Sequence, residues 1–388
     1  MNNLFEIIDV VLFVIFFLQI TYLFFFALFS LRRPQTDYPP ARKQHRFLIL
    51  FPAYREDLVI MQTIDSFLRQ TYPKERYDVI VVSDQMQQET NEKLSAYPLT
   101  LLKTENPLGS KAAALNYAIA NLKNEYDCIV ILDADNIVEA TFLERINDVY
   151  DFGVYAIQAH RKAKNKNTDI AVLDAVSEEI NNSIFRKGHI NAGLSSALIG
   201  SGMAIDYPWF VQNIKKVSSA GEDKELELLL LSQGVYIEYL DSVIVYDEKT
   251  PGSSSFYQQR RRWLGAQFFL LKKGLSSFPQ ALFSGNINYV DKLFQWLLFP
   301  RILLLGISFG LACITLMVDY TLSFKWWGIL VLLFITLSIA MPDELYDESF
   351  KRALKRVPIL FILMLLNLFR TKGAGRNFIH TKHGGENV

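Results

Sequence analysis

The chain of 388 residues has room for one large domain with appended segments, and its 40 Lys+Arg balance its 40 Asp+Glu. The net charge gives no hint of nucleic-acid binding, and no nucleic-acid partner is expected. Hydrophobic residues reach 51% and Phe alone counts 29, an excess gathered at the two ends that argues against a wholly water-soluble chain. Cys128 and Cys313 stand far apart among apolar neighbours and read as buried thiols, not as a disulfide or a zinc site.

Residues 10–31 carry no charged side chain and are long enough to cross a bilayer. A removable signal peptide fits poorly, because no Lys or Arg precedes the run, Asp9 does, and no small-residue cleavage site follows. Residues 1–34 are therefore expected to be an N-terminal transmembrane anchor. Arg32, Arg33, Arg42, Lys43 and Arg46 come next and place the following domain on the cytoplasmic side of the inner membrane.

Over residues 45–275 short apolar runs alternate with amphipathic stretches. The runs 47–51, 79–82 and 128–132 are continuously apolar, as strands buried on both faces require. Segments 58–70, 111–122 and 140–149 suit helices. The alternation predicts an α/β fold with a mostly parallel sheet, whose ligands bind beyond the carboxyl ends of the strands. Glu56 follows the first run, Asp84 the second, and Asp133 and Asp135 the third. The charged run 161–166 reads as a solvated loop.

Asp133-Ala134-Asp135 sets two carboxylates around one small residue, a pattern that holds Mg²⁺ or Mn²⁺ against a phosphate. Aspartates also end strands as turn formers. Glu56 and Asp84 suit a base N–H or ribose hydroxyls; their plainer readings are a surface ion pair and a helix cap. Lys111 opens a helix after Gly109-Ser110, where the ammonium and the helix N-terminus both favour phosphate. In Gly221-Glu222-Asp223, Asp223 is a candidate general base for an acceptor hydroxyl or, more plainly, an N-cap. Gln259, Arg262 and Trp263 fall on one helix face, with Arg262 suited to a phosphate and Trp263 to a stacked sugar. The plainer reading is a basic amphipathic helix on the membrane, supported by Arg260, Arg261 and Phe268-Phe269. His45, His160 and His189 are isolated, and His380 and His383 lack a third ligand, so no zinc is expected.

Residues 302–318 and 324–341 are apolar on either side of Asp319-Tyr320-Thr321, which predicts a transmembrane hairpin. Residues 359–369 are too short to span and follow the basic amphipathic stretch 349–356, so an interfacial or re-entrant segment is expected. Residues 276–370 thus form a membrane region, and the tail 371–388, with Arg376 and Lys382, is cytoplasmic. Three spans with the N-terminus outside satisfy the charge pattern.

The ordered set Glu56, Asp84, Asp133/Asp135, Glu222/Asp223 and Gln259/Arg262/Trp263 resembles membrane-embedded family 2 glycosyltransferases of the processive kind, which include cellulose, chitin, hyaluronan and poly-N-acetylglucosamine synthases. The resemblance implies a GT-A fold over 45–275, a nucleotide-sugar donor (a UDP-sugar foremost), Mg²⁺ or Mn²⁺, and inversion to a β-linkage on a growing polysaccharide. It implies that Glu56 and Asp84 hold the nucleoside and that Asp133 and Asp135 serve diphosphate and metal; Lys111, from its place at the helix start, is expected to join the donor site. Asp223 would be the base, with Gln259, Arg262 and Trp263 around the donor and Glu222 and Trp263 towards the acceptor. Gly200-Ser201-Gly202 falls where the family places an acceptor loop, and Phe378-Ile379-His380-Thr381 where it places a segment covering the site. Two positions depart from the pattern: Arg55 stands where Asn is usual and Gly221 where Thr is. The small number of spans leaves a lipid acceptor as the alternative, and a polymer product would call for an accessory membrane subunit or a homo-oligomer. A non-catalytic scaffold is disfavoured because Asp133, Asp135 and Asp223 are all intact.

Overall fold

The computed structural model describes residues 2–33, 38–219, 221–249 and 252–370. It begins with α1 (Asn2–Ser30), apolar on all sides as a helix in lipid must be. Eight strands follow: β1 (Phe47–Tyr54), β2 (Tyr77–Asp84), β3 (Thr100–Lys103), β4 (Cys128–Ile131), β5 (Ile137–Val138), β6 (Ala156–Ala163), β7 (Met203–Asp206) and β8 (Glu238–Asp247). They make one sheet in the order β3-β2-β1-β4-β7-β6-β8-β5. The four strands from β3 to β4 are parallel, β7 opposes both β4 and β6, β8 runs with β6, and β5 opposes β8. The expected α/β sheet is therefore mixed, with its parallel half at the N-terminal end.

Around the sheet lie α2 (Ile60–Phe67), α3 (Gln88–Leu94), α4 (Lys111–Asn121), α5 (Phe142–Asp151), α6 (Asp169–Asn181), α7 (His189–Asn191), α8 (Tyr207–Asn213) and α9 (Glu222–Ser232). Alternate strand residues serve opposite faces. Leu48, Leu50, Ile80 and Val82 pack with Leu115 of α4 and Phe210 of α8. Phe47, Ile49, Phe51 and Val81 pack with Phe67 of α2 and Phe142 of α5. All these side chains are at most 1% exposed, and each such burial contributes roughly 1.5–3 kcal/mol.

The rest is helical: α10 (Ser253–Leu275), α11 (Phe278–Phe283), α12 (Ile287–Leu297), α13 (Arg301–Val318), α14 (Tyr320–Ala340), α15 (Glu348–Ala353) and α16 (Val357–Phe369). Among the described residues, three helices are long and apolar enough to cross a membrane, Leu4–Ser30, Arg301–Val318 and Tyr320–Ala340. The break between the last two is Asp319 alone, because its carboxylate accepts the Thr321 N–H at 2.8 Å and starts α14 four residues earlier than the apolar run implies. Asp9 of α1 accepts the Trp326 indole N–H at 2.7 Å and pairs with Lys325. That pairing offsets the cost of charge among apolar helices and ties α1 to α14.

Between α6 and α7 the chain forms a π-helix, Asn182–Gly188, that packs against α1. The charged run 161–166 divides: Lys164 and Lys166 are exposed in a loop, as expected, but Arg161 is not solvated. Arg161 lies on β6, is 8% exposed, and donates to both carboxylate oxygens of Glu178 at 2.8 and 3.1 Å. A buried partner overrides the surface preference of the charged run.

Candidate active site

Tyr54 pairs with Asp84 where β1 and β2 end, and β4 stops at Ile131, so Glu56, Asp84, Asp133 and Asp135 collect along one edge of the sheet. A cavity of about 1020 Å³ opens at that edge. It is bordered by these four residues and by Lys111, Gly200, Glu222, Asp223, Gln259, Arg262 and Trp263. Of the acceptor loop, Gly200 alone reaches it. Ser201 is fully buried and bonds Asn136, while Gly202 lies against Val245 and accepts the Ala159 N–H at 2.8 Å. An acceptor contact from Ser201 or Gly202 is thus not what this geometry provides, because both serve the wall behind Gly200.

Asp84 does not cap a helix. Its carboxylate accepts from the Thr104 hydroxyl at 3.1 Å and the Leu108 N–H at 3.0 Å, pinning the loop that leads into α4. Ser110 caps α4 by accepting the Ala113 N–H at 3.1 Å, which places Lys111 on the first turn. The Lys111 ammonium donates to Asp133 and, at 2.6 Å, to the Gly200 carbonyl, and lies 3.6 Å from Glu222. Burial works against its charge, but Asp133, Glu222 and Asp223 outweigh burial and raise its pKa. Burial pushes the Glu222 carboxyl up to about 7, with Lys111 opposing and Asp223 adding to the shift.

Asp223 is the second residue of α9 and so is not its N-cap; that position is Gly221, which makes no side-chain cap. Gly200 has φ +75°, and a Cβ there would lie 3.6 Å from the Asp223 Oδ2. The positive φ is what calls for glycine here, since a Cβ at that distance would be in ordinary contact. On α10, Gln259, Arg262 and Trp263 face the cavity together. Arg260 also turns inward, with its guanidinium 4.7 Å from the Trp263 ring and an ion pair to Asp174. Only Arg261 keeps the outward direction expected of both, donating to the Arg370 carbonyl at 2.7 Å.

The sequence reading missed Asp247, which ends β8. Its carboxylate and those of Asp133 and Asp135 bring one oxygen each within 4.8 Å of one another. Asn136 bonds Asp135 at 3.2 Å and Asp247 at 3.3 Å, and the Glu248 N–H donates to Asp135 at 2.9 Å. Three hard oxygen donors in this arrangement fit Mg²⁺ or Mn²⁺. Behind them, Lys249 donates to Asp247 at 2.8 Å and pairs with Glu178. Burial would raise the Asp247 pKa, but Arg161 and Lys249 outweigh it and hold the carboxyl below its ordinary value. The signal available in sequence was an acidic residue closing the apolar stretch 243–246, as Asp133 closes 128–132.

Residues 45–266 match the family described as glycosyltransferase like family 2, more than half of the chain. The chain belongs to glycosyltransferase-like family 2. It is 25% identical over 245 residues to the probable glycosyltransferase YdaM of Bacillus subtilis (strain 168), a match covering 59% of this chain and 57% of that one. The mannosyltransferase PcManGT from Pyrobaculum calidifontis, solved with GDP-Man and Mn²⁺, aligns with TM-score 0.53 and 16% identity over 86% of this chain and 98% of its own. S. aureus TarS 1–349, solved with UDP-GlcNAc, aligns with TM-score 0.44 and 16% identity over 85% and 90%. The mixed sheet with its flanking helices is a GT-A-like fold, shared with PcManGT. The segment 378–381 expected to cover the site, the tail with Arg376 and Lys382, and His380 and His383 lie outside the described residues.

Proposed function

We propose that this glycosyltransferase moves a sugar from a nucleotide-diphosphate donor to a hydroxyl acceptor at the membrane surface, with inversion. The observation that carries the reading is the grouping of Asp133, Asp135 and Asp247 at one side of a cavity that Asp223 and Trp263 also border. A divalent cation held by these carboxylates would neutralise charge on the leaving diphosphate. Glu56 and Asp84 suit the nucleoside, Arg262 and Lys111 the diphosphate, and Trp263 the sugar ring. Asp223 takes the acceptor hydroxyl proton as the oxygen bonds to the anomeric carbon, and the carbon–oxygen bond to phosphate breaks with the diphosphate keeping the electron pair. That PcManGT was solved with GDP-Man and Mn²⁺ supports the choice of donor and metal.

The family resemblance puts extension of a polysaccharide at the cytoplasmic face first, with transfer of a single sugar to a lipid second. One observation favours the second: beside its polar groups the cavity is lined by Leu23, Leu305, Phe334 and Leu360 of the apolar helices, an apolar arm of the lining. Membranes carrying the protein, incubated with labelled UDP- and GDP-sugars, decide between them by product size. A one-sugar glycolipid is expected; a long water-soluble chain would return the reading to polymer synthesis.

A further inference from the structure

The apolar arm ends on the outside of the helical region. Phe334 of α14 borders it and is 56% exposed, and Leu354, 45% exposed, borders it just past α15. Leu305 of α13, Leu337 of α14 and Met364 of α16 line the bore between. An acyl or isoprenoid chain is the ligand chemistry that such a bore, open on lipid-facing helices, accommodates.

The guanidiniums of Arg260 and Arg301 also line the cavity, and both are held by α6. Asp174 and Ser177 are three residues apart on α6, hence on one face. Asp174 holds Arg260, and Ser177 holds Arg301, whose Nη2 donates to its carbonyl at 2.9 Å and its hydroxyl at 3.1 Å. Asp174 pairs with Arg260, and Arg301 has no acidic partner among the described residues. The Arg301 Nη1 and the Arg260 Nε are buried with no hydrogen-bond partner, a costly state that an oxyanion would relieve. Arg301 is also the first residue of α13, whose N-cap Pro300 offers no side chain to its N–H groups, so the positive end of that helix adds to the same field. Its place at the start of a span matches the depth of a lipid headgroup.

Building on the proposed transferase reading, we infer that the acceptor is an anionic lipid. Its chain lies in the arm between α13, α14 and α16, its phosphate rests on Arg301 and Arg260, and a headgroup hydroxyl beyond the phosphate reaches Asp223. Paired arginines suit a phosphate because each presents a planar fork of donors.

The test uses the full-length protein in nanodiscs of zwitterionic phospholipid, with hexadecyl phosphate, hexadecanol and inorganic phosphate as probes and native mass spectrometry as the readout. Hexadecyl phosphate is expected to bind about tenfold more tightly than the alcohol, and inorganic phosphate is expected not to displace it. Arg301→Gln should erase the preference for phosphate, and Leu305→Trp should exclude both chain-bearing probes. Equal binding of phosphate and alcohol, displacement by inorganic phosphate, or retention of the preference in Arg301→Gln would each overturn the inference. In membranes given labelled nucleotide-sugar, label in an organic-soluble product retained on an anion exchanger supports it. Label in a neutral glycolipid or a water-soluble polymer overturns it. If no sugar moves at all, the transferase reading fails, while probe binding still decides the lipid site.

Discussion

Asp247 shows how a residue acquires a role that its own neighbourhood in sequence does not announce. It ends an apolar stretch as Asp133 does, yet only the pairing of β8 with β6 carries it to the Asp133 edge. Asp247→Asn keeps the shape and removes one charge, so Mn²⁺ affinity followed by electron paramagnetic resonance should fall by about tenfold or more. Unchanged affinity would remove Asp247 from the ligand set. Glu222 gives a pH prediction. Its folded pKa of about 7 lies above its ordinary 4.5, so the fold binds this proton more tightly than the unfolded chain. Stability from this group is greatest below the ordinary value and is lost as pH rises through the folded one. The thermal midpoint should therefore decline between about pH 5 and 7.5, and Glu222→Gln should flatten that decline. An identical slope in the variant would mean that another group sets it.

At the scale of elements, what was legible depended on how far each signal is local. Strands β1, β2 and β4 showed because burial on both faces demands continuous apolar runs, and Glu56, Asp84 and Asp133 followed from the strand ends. The helix face of Gln259, Arg262 and Trp263 showed because its spacing is intrinsic to a helix. Arg161 and Arg260 did not, since a charge reads as solvated until a buried Glu178 or Asp174 is known to meet it. The π-helix left no signal either. Its last residue, Gly188, would place a Cβ 2.2 Å from the Phe26 carbonyl oxygen of α1, which is backbone and cannot swing away. Gly188→Ala should therefore lower the thermal midpoint in detergent, with a cost of about 1–3 kcal/mol typical of overpacking. A wild-type midpoint would show that the helix and α1 separate without loss.

Over the whole molecule, the sheet edge, the N-terminus of α4, the start of α9 and the inner face of α10 converge on one cavity, while α1, α13, α14 and α16 carry that cavity into an apolar region. Hydropathy alone located the three long apolar helices, because length and the absence of charge are properties of each segment by itself. It could not show that these helices share a cavity with the carboxylates, which depends on how α6 and α10 pack between them. The proposed transfer rests on the joint action of the carboxylate trio and Asp223. The measurement that bears on it most directly is nucleoside-diphosphate release from UDP- and GDP-sugars by purified full-length protein, with Mn²⁺ or with excess chelator, beside Asp223→Asn. Release that requires the metal and falls by about a hundredfold or more in the variant is the predicted result. Release undiminished in chelator, or undiminished in Asp223→Asn, would contradict it.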